Sequence, residues 1–140
     1  MTASASGSID WEDLTRQAFE VRARAHAPYS HYHVGAALQV ASGRVFVGCN
    51  VENASYGLSL CAERSAVLQM VAAGEKDPIG IVVITRGPIV GTPCGACRQV
   101  LAEFALDMLV RLAVEDPAVP PRMTSLAALL PDAFRAEALK

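Results

Sequence analysis

The sequence predicts a single domain of the α/β class, and three observations carry that expectation. Helical and extended patterns alternate through the second half of the chain, which makes adjacent parallel strands joined by crossover helices the economical architecture. The run Ile79-Gly80-Ile81-Val82-Val83-Ile84 is apolar without alternation, the pattern of a strand buried on both faces. The 140 residues contain no repeat, low-complexity tract or linker, and surface scaling gives such a chain a folded area of roughly 7,000 Å², enough to enclose a core without disulfides.

Residues 1–9, Ser-rich at their start, read as a flexible tail, and residues 10–140 as the domain. Asp10 is placed to cap a helix whose apolar positions Trp11, Leu14, Ala18, Val21 and Ala25 recur at spacings of three and four. Pro28-Tyr29-Ser30 ends that helix. Two β-rich runs, 33–40 and 45–51, flank Ala41-Ser42-Gly43-Arg44 as the arms of an antiparallel hairpin. Residues 52–60 show no periodicity, and a second helical pattern (Ala62, Ala66, Met70, Ala73) begins near Cys61 and stops at Gly74. The apolar strand follows, then a loop from Gly87-Pro88 to Thr92-Pro93. A third helix begins near Cys94 and turns Val100, Leu101, Phe104 and Met108 inward. Residues 109–114 alternate enough to form another strand. Pro117, Pro120 and Pro121 interrupt regular structure before a short helix, 126–130, capped by Thr124 or Ser125.

Charge and composition narrow the function. Twelve Lys and Arg against fourteen Asp and Glu leave a net charge of −2, and the basic residues are scattered, so the stripe that a polynucleotide binder uses to neutralise phosphates is missing. A small uncharged partner fits better. With 52% hydrophobic and 19% charged residues the chain is too apolar to be disordered and has apolar surface to spend on subunit contacts. The first residues lack the pattern of a secretory signal, and no apolar run approaches bilayer length. The expected location is cytoplasmic, with no membrane partner.

Four cysteines are too few for a secreted disulfide scaffold, and two of them form a C-x-x-C pair, Cys94 and Cys97. Cys61 and Cys94 fall at helix starts, where free N–H groups and the positive end of the dipole favour thiolates, the form that binds zinc. Three thiolate ligands leave a fourth position for water and catalysis, whereas Cys49 as a fourth would close the site into a structural one. Glu63 follows Cys61 by two residues. In a regular helix that offset turns about 200°, so the carboxylate shares a site with Cys61 only where the metal sits over the helix end rather than beside its flank. Three thiolates on a divalent ion leave the site net negative, which calls for a positive neighbour. His26, His31 and His33 lack ligand spacing and read as surface or core residues.

Cys61-Ala62-Glu63-Arg64 and Pro93-Cys94-Gly95-Ala96-Cys97-Arg98-Gln99 resemble the motifs of the zinc-dependent cytidine deaminases, in their small, homotetrameric, three-cysteine branch. Pro28-Tyr29-Ser30, Val34-Gly35-Ala36-Ala37-Leu38, the segment Asn50-Val51-Glu52-Asn53-Ala54-Ser55-Tyr56-Gly57 and Leu129-Leu130-Pro131-Asp132-Ala133-Phe134 extend the resemblance from about Trp11 to Phe134. It implies a three-layer α/β/α fold with a mixed sheet of about five strands. It also implies one zinc ion per chain on Cys61, Cys94 and Cys97, with Glu63 moving protons and Arg64 hydrogen-bonded to the thiolates. Asn50 and Glu52 match residues that hold the ribose 3′-hydroxyl, Ala62 and Tyr32 match positions at the base, and Ala54, Tyr56 and Phe134 match positions that reach a neighbouring subunit's site. The implied reaction converts cytidine and 2′-deoxycytidine to uridine and 2′-deoxyuridine with release of ammonia, in pyrimidine salvage, by a homotetramer. Two residues depart from the pattern: Tyr32-His33 stands where the family usually has Phe-Pro, and the run Tyr-His-Val-Gly also resembles blasticidin S deaminase, which acts on a cytosine nucleoside antibiotic. The segment from Asn50 to Tyr56 resembles the cytidine enzymes.

Overall fold

Asp10 caps the first helix, α1 (Trp11–Arg22), its carboxylate accepting from the Asp13 N–H at 3.1 Å. Leu14 and Ala18 form its buried edge. The helix stops three residues short of Ala25 because the chain beyond it enters a β-bridge: the His26 N–H donates to the Asn50 carbonyl and the Glu52 N–H to the His26 carbonyl. Tertiary pairing there overrides the helical period. The computed structural model describes residues 8–140; residues 1–7 of the segment read as a tail lie outside the described residues. Ser8 and Ile9 belong to the fold, since the Ser8 carbonyl accepts from Gln39 Nε2 at 3.1 Å and Ile9 packs against the core beneath α1.

The hairpin consists of β1 (Gly35–Val40) and β2 (Val45–Cys49), paired antiparallel from Gly35 opposite Cys49 to Gln39 opposite Val45. Helix α2 (Ala62–Ala72) follows, with Gly74 at φ 85° just past its end, the left-handed conformation expected of a helix stop. Then come β3 (Pro78–Thr85), α3 (Gly95–Ala102), β4 (Leu109–Val114), β5 (Arg122–Ser125) and the single turn α4 (Leu126–Leu129), which Ser125 caps by accepting from the Ala128 N–H. The strand order is β2-β1-β3-β4-β5. The expected parallel pairing with a crossover helix occurs once, at β3–β4 through α3, and every other pairing is antiparallel. Strand β5 was not foreseen, because four residues, Arg-Met-Thr-Ser, behind three prolines carry no alternation that marks an edge strand.

Alternate residues of the central strands enter two separate cores. Leu38, Ile81, Val83, Val110 and Leu112 pack beneath α2, α3 and α4, and Ala37, Val82, Ile84 and Ala113 pack beneath α1, which gives the three layers. Two glycines set how closely the helices approach. A side chain on Gly35 would run into the Ala18 carbonyl of α1, and one on Gly48 would come within 2.5 Å of the Ala62 carbonyl and Ala66 N–H of α2. The first turn of α2 therefore lies directly on the backbone of β2. No helix among the described residues is long and apolar enough to cross a membrane.

Candidate metal centre and catalytic pocket

Cys61 and Cys94 occupy equivalent places, each the extended residue that opens a helix, and Cys97 lies one turn inside α3. The two helix starts converge so that the three sulfurs lie within 4.8 Å of one another, with Cys61 and Cys94 Sγ 3.9 Å apart. Tetrahedral coordination with Zn–S bonds of about 2.3 Å spaces sulfurs roughly 3.8 Å apart, so the donor set fits zinc in both softness and spacing. Cys49, at the end of β2, stands outside this cluster, as do the three histidines, and burial pushes its thiol up against the opposing influence of Arg24. The cluster among the described residues thus offers three ligands, not four.

The thiols are electrostatically unequal. Cys61 is pulled down to about 5 by hydrogen bonding with Cys97 and by Arg64, whose Nη2 donates to its sulfur at 3.5 Å. Cys97 is pushed well above the ordinary thiol range by that same pairing with Cys61, by burial and by the charge of Glu63. Such a pair holds one thiolate readily and releases its second proton only to a strong cation. Arg64 supplies the positive neighbour that the sequence required, and it is also the only charged side chain hydrogen-bonded to the sulfurs among the described residues.

Glu63, in the first turn of α2, is 5% exposed, and its carboxyl is raised to about 7, chiefly by burial and further by the Cys61 thiolate, against the pull of its own backbone N–H and of Arg64. It lines a cavity of about 190 Å³ together with Cys61, Ala62, Cys94, Tyr32, Val34, Asn50, Val83, Thr85 and Thr92. The helix-end geometry demanded by the two-residue offset is thereby met. A larger cavity, about 460 Å³, opens between α1 and residues 111–121. Arg111 pairs with Glu12 and Glu115 with Arg22 at its walls, and no thiol or imidazole lines it, whereas Cys61 and Cys94 of the sulfur cluster line the smaller cavity.

The remaining predicted residues divide into three groups. Asn50 lines the pocket and braces its wall, with Oδ1 accepting from the Val34 N–H at 2.9 Å and Nδ2 donating to the Tyr32 carbonyl at 2.8 Å. Glu52 lies instead in a second cavity of about 360 Å³ with Tyr29, Ser30, Tyr56 and Ser59, where it accepts from the Ser30 hydroxyl and from the Tyr29 and Ser30 N–H groups. Those bonds, the hydroxyl's first, hold its carboxyl below the usual range. Ala54, Tyr56 and Phe134 are not brought to the pocket within one chain: Ala54 is exposed, Tyr56 is 75% exposed with its ring edge-on to Tyr29, and Phe134 is 61% exposed beyond α3.

Several residues at the site were not read as functional from the sequence. Arg98 clamps the segment before Cys94, its guanidinium donating to the Pro93 carbonyl at 2.7 Å, the Leu129 carbonyl at 2.6 Å and Thr92 Oγ1 at 2.9 Å. Its place directly after Cys97 of the C-x-x-C motif was the available signal. Val34, Val83, Thr85 and Thr92 line the cavity but sit in strand or loop patterns that core packing explains equally well.

The sequence matches the cytidine and deoxycytidylate deaminase zinc-binding region over residues 9–113. It is 42% identical to the cytidine deaminase of Halalkalibacterium halodurans over 132 residues, covering 92% of this chain and 97% of that protein. It is 43% identical to the cytidine deaminase of Mycobacterium tuberculosis over 126 residues, covering 90% of each. The fold is similar to the crystal structure of cytidine deaminase from Burkholderia pseudomallei, with a TM-score of 0.85 and 44% identity over 90% of this chain and 100% of that one. The three-layer architecture and the mixed five-stranded sheet agree with that structure.

Proposed function

Because the chain belongs to the cytidine and deoxycytidylate deaminase family, we propose that its catalytic centre is the pocket over Cys61, Cys94 and Cys97 and that Glu63 carries the protons of the reaction. The activity is zinc-dependent hydrolytic deamination of cytidine, in which water adds at C4 of the ring and ammonia leaves. When bound by the three cysteines, zinc supplies the Lewis acidity that makes water a nucleophile near neutral pH. Glu63 takes one proton from the attacking water and passes it to N3, then takes the second from the hydroxyl added at C4 as the carbonyl forms and delivers it to the departing amino group. The observation that carries this reading is the burial of Glu63 beside the sulfurs, because a carboxyl poised near 7 both accepts and returns a proton at working pH.

The substrate contacts follow from what each side chain has left to offer. Asn50 keeps one N–H and one lone pair after bracing residues 32–34, and Glu52 keeps acceptor capacity after holding the 29–30 turn, so the two bind the ribose 3′-hydroxyl while fixing the loops that present it. Tyr32 flanks the pyrimidine, Ala62 meets it between Cys61 and Glu63, and Arg64 keeps the thiolates from neutralising the metal's charge. Both cytidine and 2′-deoxycytidine are substrates in this reading, since neither Asn50 nor Glu52 needs the 2′-hydroxyl, and the reaction serves pyrimidine salvage. Ala54, Tyr56 and Phe134 act in a neighbouring subunit's site within a homotetramer, which explains why large aromatic side chains stand exposed.

The test is direct. Zinc-loaded protein given cytidine yields uridine and ammonia in equal amounts, and chelation abolishes the conversion until zinc is restored. Protein holding one zinc per chain that forms no uridine contradicts the assignment.

A further inference from the structure

Thr85 ends β3 and is 4% exposed, yet its hydroxyl has no hydrogen-bond partner among the described residues. Buried hydroxyls are almost always paired, because an unpaired one keeps the cost of leaving water with nothing to offset it. This one lines the same cavity as Glu63, Cys61 and Tyr32. Gly91 explains how it stays there. A side-chain carbon on Gly91 would stand 3.0 Å from the Tyr32 hydroxyl, 3.2 Å from Thr85 Cγ2 and 3.4 Å from Thr85 Oγ1, so the two hydroxyls converge on the space that the missing side chain leaves. The Tyr32 hydroxyl is the nearest group to the space that Gly91 leaves open.

We propose that Thr85 and Tyr32 form a polar wall of the base pocket that selects cytosine nucleosides bearing a hydroxyl-containing substituent at ring position 5. The inference rests on the deaminase reading, which fixes the ring: C4 at the sulfurs, N3 at Glu63 and the N1 sugar toward Asn50. Glu63 is presented by α2, which packs over β1 and β2, whereas Thr85 comes from β3. A ring that offers N3 to Glu63 therefore turns its C5 edge to Thr85. Each hydroxyl can donate or accept, so a hydroxymethyl group gains a hydrogen bond there, and a methyl group leaves the buried Thr85 hydroxyl unpaired.

Calorimetric titration with the product nucleosides 5-hydroxymethyluridine and 5-methyluridine tests this without turnover. The zinc-loaded protein binds the hydroxymethyl compound roughly 3- to 10-fold more tightly, the yield of one neutral hydrogen bond. Thr85→Val, which keeps the shape and removes the hydroxyl, brings the ratio toward one, and Thr85→Ser retains most of it. Equal affinities in the unaltered protein, or a preference that survives Thr85→Val, overturn the proposal. Cytidine turnover by the same preparation is a separate readout, so failure of the deaminase reading is distinguishable from failure of this one.

Discussion

Glu63 and Arg64 are adjacent in sequence and opposite in charge, and the proposed chemistry uses both. The Arg64 guanidinium lies against the Cys61 sulfur, and its buried Nε has no partner among the described residues, so its main return is electrostatic. Arg64→Ala is expected to lower turnover per bound zinc by about 10- to 100-fold while shifting the melting temperature much less; unchanged turnover per zinc contradicts that role. Cys49→Ser is expected to leave one zinc per chain by metal analysis, since the three-sulfur cluster excludes it, and loss of zinc would reassign Cys49 as a ligand. Glu52 gives a pH signature. Its carboxyl is held low in the folded protein, so it stabilises the fold above the ordinary carboxylate value and loses that contribution as pH falls through the lowered one. Glu52→Gln should therefore melt earlier than the parent at pH 7, with the gap closing below about pH 4; a gap independent of pH would show that the charge does not hold the 29–30 turn. The clustering of Cys61, Cys94 and Cys97, with Glu63 in the same cavity, was legible in the sequence because these residues sit at short spacing on two helix starts. Thr85 was not, since a hydroxyl at the end of an apolar strand has no pattern until the fold sets Gly91 and Tyr32 beside it.

At the scale of elements, the site is the meeting of two helix N-termini, and the sheet decides where they meet. Helix α2 reaches its place because Gly48 lets its first turn rest on β2, and α3 is held by Arg98 through the Pro93 and Leu129 carbonyls. Gly48→Val puts a branched side chain against the Ala62 carbonyl and the Ala66 N–H. Overpacking of this kind costs roughly 1–3 kcal/mol, and here it also displaces Cys61 and Glu63. The expected result is a lower melting temperature together with a fall in zinc content; a variant that melts early but holds a full complement of zinc would separate the helix seat from the metal site. Periodicity and caps located α1, the hairpin, α2, β3 and β4 because each buries a face of regular period. They overran the end of α1, where pairing between His26 and Val51 takes the chain, and missed β5, whose strand character comes only from pairing with β4.

Across the whole molecule, two cores account for both faces of the sheet, but α2 carries apolar residues on its outer side as well, with Leu68 58% and Val71 46% exposed. A helix apolar on both sides calls for a second cover, and in the proposed tetramer other copies of the chain provide it. Sedimentation of the zinc-loaded protein should give a tetramer, and Leu68→Glu should shift it to smaller species with loss of activity; a fully active monomer would remove the roles given to Ala54, Tyr56 and Phe134. The high apolar fraction raised the expectation of subunit contacts, but the exposed apolar side of α2 was visible only once the helix was seen to be covered on its other side. In the proposed mechanism the buried carboxyl of Glu63 moves the protons of deamination beside a metal it does not bind. Zinc content and the rate of cytidine conversion, followed by ultraviolet absorbance, should be measured together for the parent and Glu63→Gln. The expected result is one zinc per chain in both, with kcat reduced by at least about 10²-fold in the variant. A variant that keeps its zinc and turns cytidine over at the parental rate would contradict it.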